Sequence, residues 1–84
     1  VLDLFLAEQT VILDPPRAGL HDDVTARLLT VRPQRLIYLS CNLPTQARDV
    51  ERLISGYTIV NTKLFNFFPR TPHLEGLIVL DRRS

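Results

Sequence analysis

The sequence has one cysteine, no methionine, no tryptophan and only three glycines. A single cysteine cannot form a disulfide within the chain, and no apolar run approaches the roughly 20 residues of a membrane span. We therefore expect a reducing, cytoplasmic setting and no membrane partner. Ten basic and nine acidic residues give a net charge of +1, so the overall charge identifies no class of partner.

The length of 84 residues allows one domain at most. A domain of this size buries only about 60% of the surface that its unfolded chain exposes, so its stability is marginal. The sequence opens on Val1 and has no signal peptide pattern. We expect it to be a segment of a longer protein.

Hydrophobic patterns predict two strand–helix units. The β-branched run "TVILD" (residues 10–14) is a buried strand that a proline pair ends. Apolar residues at helical spacing predict a helix over residues 22–31. "RLIYLS" (residues 35–40) is a second buried strand, followed by a helix that Thr45 can cap and Gly56 ends. The apolar face of this second helix is predicted to consist of Ala47, Val50, Leu53 and Ile54.

Two further strands follow, "YTIVNTKLF" (residues 57–65) and "LEGLIVLD" (residues 74–81). The stretch between them is too long for a tight hairpin. Strands that alternate with helices predict an α/β fold with parallel strands and right-handed crossovers, here closed by a final antiparallel pair. Such sheets bind ligands beyond the carboxyl ends of their strands.

Three reactive side chains are predicted to meet at that edge: Asp14, Cys41 and Glu75. Each also has an ordinary structural interpretation. A lone cysteine is most often a small buried hydrophobe, Asp14 could be a turn residue, and Glu75 could be a solvated carboxylate at a strand start. The position of Cys41 between a strand end and a helix start favours chemistry, because the helix dipole there stabilises a thiolate.

Three motifs carry a resemblance to a known family: "DPPRAGL" (residues 14–20), "SCNLPTQARD" (residues 40–49) and "FFPRTPHLE" (residues 67–75). Together they resemble the C-terminal motifs of the RNA uridine-5-methyltransferases, which use S-adenosylmethionine to make 5-methyluridine in tRNA or rRNA. The resemblance implies that residues 1–84 form the C-terminal half of a Rossmann-like class I methyltransferase domain. The donor-binding half and any RNA-binding domain are then expected upstream.

The resemblance also implies roles for individual residues. Cys41 would be the nucleophile that adds to carbon 6 of the uridine, and Glu75 the general base that removes the proton from carbon 5. Asp14 would contact the methyl donor. The substrate-binding residues would be Pro15, Arg17 and Asn42. Asn42 would orient either the base or the loop that carries the Cys41 thiol, here called the thiol loop. No metal ligands and no iron–sulfur cysteines are predicted in this chain.

The sequence departs from the family pattern at two positions. Leu43 stands where the family has proline after "SCN", and Asn66 stands where it tends to have aspartate. Two other functions remain open: an amino-group nucleic-acid methyltransferase, which needs no cysteine, and an RNA-binding remnant without turnover. The apolar first strand further predicts that the isolated chain self-associates.

Overall fold

The computed structural model describes residues 9–66 and 74–83. In these ranges the elements are β1 (Thr10–Leu13), α1 (Asp22–Val31), β2 (Arg35–Ser40), α2 (Leu43–Leu53), β3 (Tyr57–Phe65) and β4 (Glu75–Arg82). The strands form one mixed sheet in the order β1-β2-β4-β3. β1 is parallel to β2, whereas β4 is antiparallel to both of its neighbours. The predicted α/β class, with its parallel pair and final antiparallel pair, is confirmed.

The core lies between the helices and one face of the sheet. Side chains on a strand alternate between the two faces, and β2 accordingly buries every second residue. The fully buried aliphatic and aromatic residues of this core include Leu28, Leu36, Tyr38, Leu53, Tyr57 and Leu80. Because they come from both helices and three strands, α1 and α2 pack on the same side of the sheet. No helix of the described residues is long and apolar enough to cross a membrane.

The other face of the sheet carries a row of apolar residues. Ile12 pairs with Ile37, and Ile37 pairs with Val79, so the three side chains lie side by side across β1, β2 and β4. Ile12 is 68% exposed. Among the described residues β1 is also an edge strand, which gives this row an open end.

The start of α2 differs from the prediction. Its N-cap is Asn42, whose side chain accepts a hydrogen bond from the Thr45 backbone N–H at 3.3 Å, so the prediction that Thr45 caps the helix was wrong. Pro44 lies in the first turn. Proline is tolerated there because its missing N–H would have had no partner within the helix.

The buried face of α2 also differs from the prediction. Val50 and Leu53 are buried as expected, but Ala47 and Ile54 are exposed. The polar residues Gln46 and Asp49 are buried in addition. The helix therefore turns two polar side chains inward, and each needs hydrogen-bond partners there.

The remaining boundaries agree closely with the sequence. The bounds of α1, β2 and β3 are those predicted, β1 is one residue shorter, and β4 is shifted by one residue toward the C-terminus. Most of the third motif, residues 67–73, lies outside the described residues.

Candidate active site at the carboxyl ends of β1 and β2

Asp14, Cys41 and Glu75 lie at the same edge of the sheet. Asp14 directly follows β1 and Cys41 directly follows β2, and these two strands are parallel. Glu75 is the first residue of the antiparallel strand β4, in which Gly76 pairs with Ser40. Cys41 and Glu75 are therefore the chain neighbours of a directly paired couple of residues on adjacent strands. We refer to Asp14, Cys41 and Glu75 as the reactive edge.

Cys41 is a free, exposed cysteine in a turn that hydrogen bonds hold on both sides. The Asn42 backbone N–H donates to the Ser40 hydroxyl at 3.0 Å, and that hydroxyl donates to the Asn42 carbonyl at 3.2 Å. Both bonds span Cys41. The thiol is therefore accessible to a substrate while its backbone is fixed just ahead of α2.

The side chain of Asn42 links this turn to the "DPPRAGL" loop. Its oxygen caps α2, and its nitrogen donates to the carbonyl oxygen of Arg17 at 3.1 Å. Both ends of the amide are thus used within the protein. Through these two bonds Asn42 connects the turn that carries Cys41 to the loop after β1.

A close approach at Gly19 shapes the "DPPRAGL" loop. Gly19 has a φ of +91°, and its N–H donates to the Pro16 carbonyl at 2.8 Å. A Cβ atom at this position would lie 2.6 Å from Oδ2 of Asp49. The loop needs glycine here, both for its left-handed backbone and for the space that Asp49 occupies.

Asp49 is the buried anchor of the loop. Its side chain is fully buried, and Oδ2 accepts hydrogen bonds from the Leu20 N–H at 2.8 Å and from the Tyr38 hydroxyl at 2.5 Å. Arg48 donates to the other carboxylate oxygen at 3.2 Å. Burial raises the pKa of Tyr38 above its ordinary value, and the hydrogen bond and charge of Asp49 raise it further.

A second arginine bond completes this attachment. Arg48 also donates to the Ala18 carbonyl at 2.9 Å. Three side chains from residues 42–49 therefore bond to the backbone of residues 17–20. We refer to these three, Asn42, Arg48 and Asp49, as the loop clamp. It fixes the loop after β1 to the helix that follows the thiol.

Gln46 joins the two strands that carry the thiol and the carboxylate. Gln46 is 3% exposed, and its Nε2 donates to the carbonyls of Tyr38 at 3.1 Å and Gly76 at 2.9 Å.

The sequence analysis did not identify Gln46, Arg48 or Asp49 as site residues. Spacing could have placed two of them on the buried face, since Gln46 lies four residues before Val50 and Asp49 lies four residues before Leu53.

A groove lies beside the end of β1. It has a volume of about 650 Å³ and is lined largely by apolar groups, with Asp14 and Pro15 at the strand end and Leu20 and Val24 beyond. Arg17 is exposed, is not part of this lining, and makes no side-chain hydrogen bond or ion pair within the described residues. Asp14 and Pro15 thus line the groove, whereas Arg17 does not.

No group of His, Cys, Asp and Glu side chains in the described ranges could hold a metal ion.

Comparisons with known proteins agree on one family. Residues 1–83 match the family model described as tRNA (Uracil-5-)-methyltransferase. An uncharacterized RNA methyltransferase of Nitratidesulfovibrio vulgaris is 44% identical over 74 residues, covering 88% of this chain and 16% of the relative. The 23S rRNA (uracil(1939)-C(5))-methyltransferase of Marinomonas posidonica is 39% identical over 75 residues, covering 88% of this chain and 17% of the relative.

A solved structure shows the same fold. The Pyrococcus abyssi tRNA (uracil-54, C5)-methyltransferase, in complex with S-adenosyl-L-homocysteine, matches with a TM-score of 0.78 and 46% identity, covering 84% of this chain and 17% of that one. The likeness agrees with the predicted partial Rossmann-like domain. The chain spans about a sixth of the length of the relatives it matches. With a family model that matches nearly every residue, the chain belongs to the tRNA (uracil-5-)-methyltransferase family.

Proposed function

We propose that this chain supplies the nucleophile and the general base of an S-adenosylmethionine-dependent enzyme that methylates carbon 5 of a uridine in tRNA or rRNA. The observation that carries the proposal is the pairing of Ser40 with Gly76, which sets Cys41 and Glu75 at the ends of adjacent strands. The relatives named as tRNA and rRNA uracil methyltransferases support the substrate class.

Cys41 performs the first step. Carbon 5 of uracil is too weak a nucleophile to attack a methyl sulfonium, so the thiolate adds to carbon 6 and forms a sulfur–carbon bond. The electron pair of the carbon 5–carbon 6 double bond moves toward the carbonyl oxygen at carbon 4, which makes carbon 5 enolate-like. S-adenosylmethionine supplies the methyl group that carbon 5 then takes up. The exposure of Cys41 gives the uridine access to the thiol.

Glu75 performs the last step. Its carboxylate removes the proton from carbon 5, the electron pair restores the double bond, and the sulfur–carbon bond breaks to release the thiolate. Glu75 is half-buried, which reduces its contact with bulk water. The position of the carboxylate on the strand beside the thiol allows both groups to act on one bond of the ring.

Asp14 and the groove beside it suit part of a donor site. The exposed Asp14 carboxylate can accept hydrogen bonds from hydroxyl or ammonium groups, and the apolar lining suits a flat ring. Pro15 and Arg17 lie on the loop that would line the pocket of a flipped uridine. We place the rest of the donor site in the remainder of a longer protein, of which residues 1–84 are the C-terminal part of the catalytic domain. The isolated chain would then be inactive.

A covalent trapping experiment tests the function. The full-length protein that contains this chain is incubated with S-adenosylmethionine and RNA that carries 5-fluorouridine. Because fluorine at carbon 5 cannot be removed as a proton, the adduct through Cys41 should persist on a denaturing gel. Methyl transfer to ordinary RNA without any adduct would instead indicate an amino-group methyltransferase, and RNA binding with neither product would indicate a non-catalytic remnant.

A further inference from the structure

The side-chain amide of Gln46 is shared between two strands. Its nitrogen carries two hydrogens, and these go to the Tyr38 carbonyl on β2 and the Gly76 carbonyl on β4. Tyr38 lies three residues before Cys41, and Gly76 directly follows Glu75. One buried group therefore spans the two strand ends that carry the thiol and the carboxylate.

Packing alone does not explain an amide at this position. A buried polar group costs free energy unless it is hydrogen-bonded, and leucine has a similar volume without that requirement. The residue opposite the amide is a glycine, and a side chain there would collide with it: a Cβ atom at Gly76 would lie 2.5 Å from Oε1 of Gln46. The site therefore provides both the two hydrogen-bond acceptors and the space that the amide of Gln46 needs.

We propose that Gln46 is a positioning residue that sets Glu75 relative to Cys41 for release of the methylated RNA. This inference rests on the proposed function. Addition of the thiol and methyl transfer need only Cys41 and the donor, whereas release needs the carboxylate at carbon 5 while sulfur is still bound to carbon 6. Loss of the amide bridge therefore affects release more than the steps before it.

The expected effect is a change in the balance of two rates. Gln46→Leu in the full-length protein should slow release about 10-fold or more, because a misplaced catalytic group loses up to about 100-fold in rate. Methyl transfer to the RNA should change less than about 3-fold. Gln46→Glu, which keeps the shape but offers no N–H groups when ionised, should show the same imbalance.

A single-turnover experiment measures both rates. Donor with a labelled methyl group is mixed with ordinary uridine RNA, and labelled RNA is counted as covalently bound or free at each time. Leu53→Ala is the matched control, since Leu53 is a fully buried residue at the other end of the same helix. It should lower the melting temperature and leave the ratio of bound to free RNA unchanged.

The outcomes separate this inference from the proposed function. If the wild-type protein forms no adduct with 5-fluorouridine RNA, the proposed function fails, whatever Gln46 does. If the wild type forms the adduct but either Gln46 variant releases RNA at the wild-type rate, the positioning role is wrong and the function stands. Equal loss of methyl transfer and release in both variants, or the same imbalance in Leu53→Ala, would show a general structural role and also overturn the inference.

Discussion

The side-chain nitrogen of Asn42 donates a hydrogen bond to the backbone carbonyl of Arg17, 3.1 Å away. These two residues are 25 positions apart in the chain and belong to different motifs. This bond attaches the turn that contains Cys41 to the loop that begins at Asp14. In the proposed enzyme, the groups that meet the base and the donor are thus held by one network.

Replacement of the thiol tests the nucleophile directly. Cys41→Ala in the full-length protein should abolish methyl transfer and the covalent RNA adduct, because the sulfur forms the bond to carbon 6. Donor binding, measured by calorimetry, should hardly change. Retained turnover would exclude Cys41 as the nucleophile.

Replacement of the carboxylate tests the base. Glu75→Gln should still permit thiol addition and methyl transfer, since neither step needs a base at carbon 5. Methylated RNA should therefore stay attached through Cys41 and accumulate as a gel-resistant band with ordinary uridine RNA.

The double variant is the control for this band. Cys41→Ala combined with Glu75→Gln should remove it, because the adduct needs the thiol. Turnover of Glu75→Gln at close to the wild-type rate without trapped RNA would make Glu75 a structural residue. The base would then be sought elsewhere, and His73, which lies outside the described residues, is one candidate.

The loop clamp predicts a large cost at a single buried carboxylate. Asp49→Ala would leave the donors of Leu20 and Tyr38 without their acceptor, so the free energy of unfolding should fall by roughly 2–4 kcal/mol. Asp22→Ala is the control, because Asp22 forms an exposed ion pair with Arg52 at 2.7 Å and should cost below about 1 kcal/mol. Chemical denaturation of both variants measures the difference. Equal losses would show that Asp49 does not anchor the loop.

Two buried tyrosines predict a loss of stability at alkaline pH. Burial raises the pKa of Tyr57 from 10.0 to about 12 against the opposing charges of Arg32 and Arg82, and the pKa of Tyr38 is raised as well. As pH rises above 10, the tyrosines of the unfolded chain ionise first. The free energy of unfolding should therefore be constant with respect to these groups below pH 10 and fall between pH 10 and 12, by about 1.4 kcal/mol per pH unit for each tyrosine.

Denaturant titrations from pH 8 to pH 12 measure this slope. Tyr57→Phe should reduce it, although the variant also loses the hydrogen bond from the Tyr57 hydroxyl to the Pro33 carbonyl at 2.7 Å. Loss of that bond should lower the free energy of unfolding by the same amount at every pH below 10, so it does not change the slope there. An unchanged slope in Tyr57→Phe would contradict the assignment of the alkaline transition to Tyr57.

The open end of the apolar row predicts self-association of the isolated 84-residue chain. Ile12 is 68% exposed on β1, and an exposed apolar edge strand is a template for pairing with another copy. Sizing chromatography should show dimers or larger species. Ile12→Lys should shift the chain toward the monomer, whereas the control Thr58→Lys, at an exposed polar position on β3, should not. A monomeric wild-type chain would refute this prediction.

The sequence predicted the elements well and the buried polar contacts poorly. Strands such as β2 are recognisable because a run of apolar residues ends at a turn, and α1 because its apolar residues repeat at helical spacing. The same periodicity misassigned part of α2. It is right for Val50 and Leu53 but wrong for Ala47, because the other inward positions belong to Gln46 and Asp49.

The partners of these polar residues explain the error. The hydrogen bonds of Gln46 and Asp49 go to atoms of Gly76, Leu20 and Tyr38, all of which lie outside the helix and 8 to 30 residues away in the chain. A local pattern cannot show such partners, so a polar residue in a helix is assigned to the solvent face. The positions of the reactive edge could be predicted, because they depend only on which strand ends where. The network that holds this edge could not.

The close approach of Gly19 and Asp49 also has a consequence for the history of the family. A side chain at position 19 would occupy the space of the carboxylate, and a residue other than aspartate at position 49 would release the loop that Gly19 allows to bend. Neither residue can change first without loss of stability. Because position 19 also needs its left-handed backbone, a change at position 49 would not make room for a side chain there, so both residues should be retained among relatives, although they are 30 positions apart in the chain.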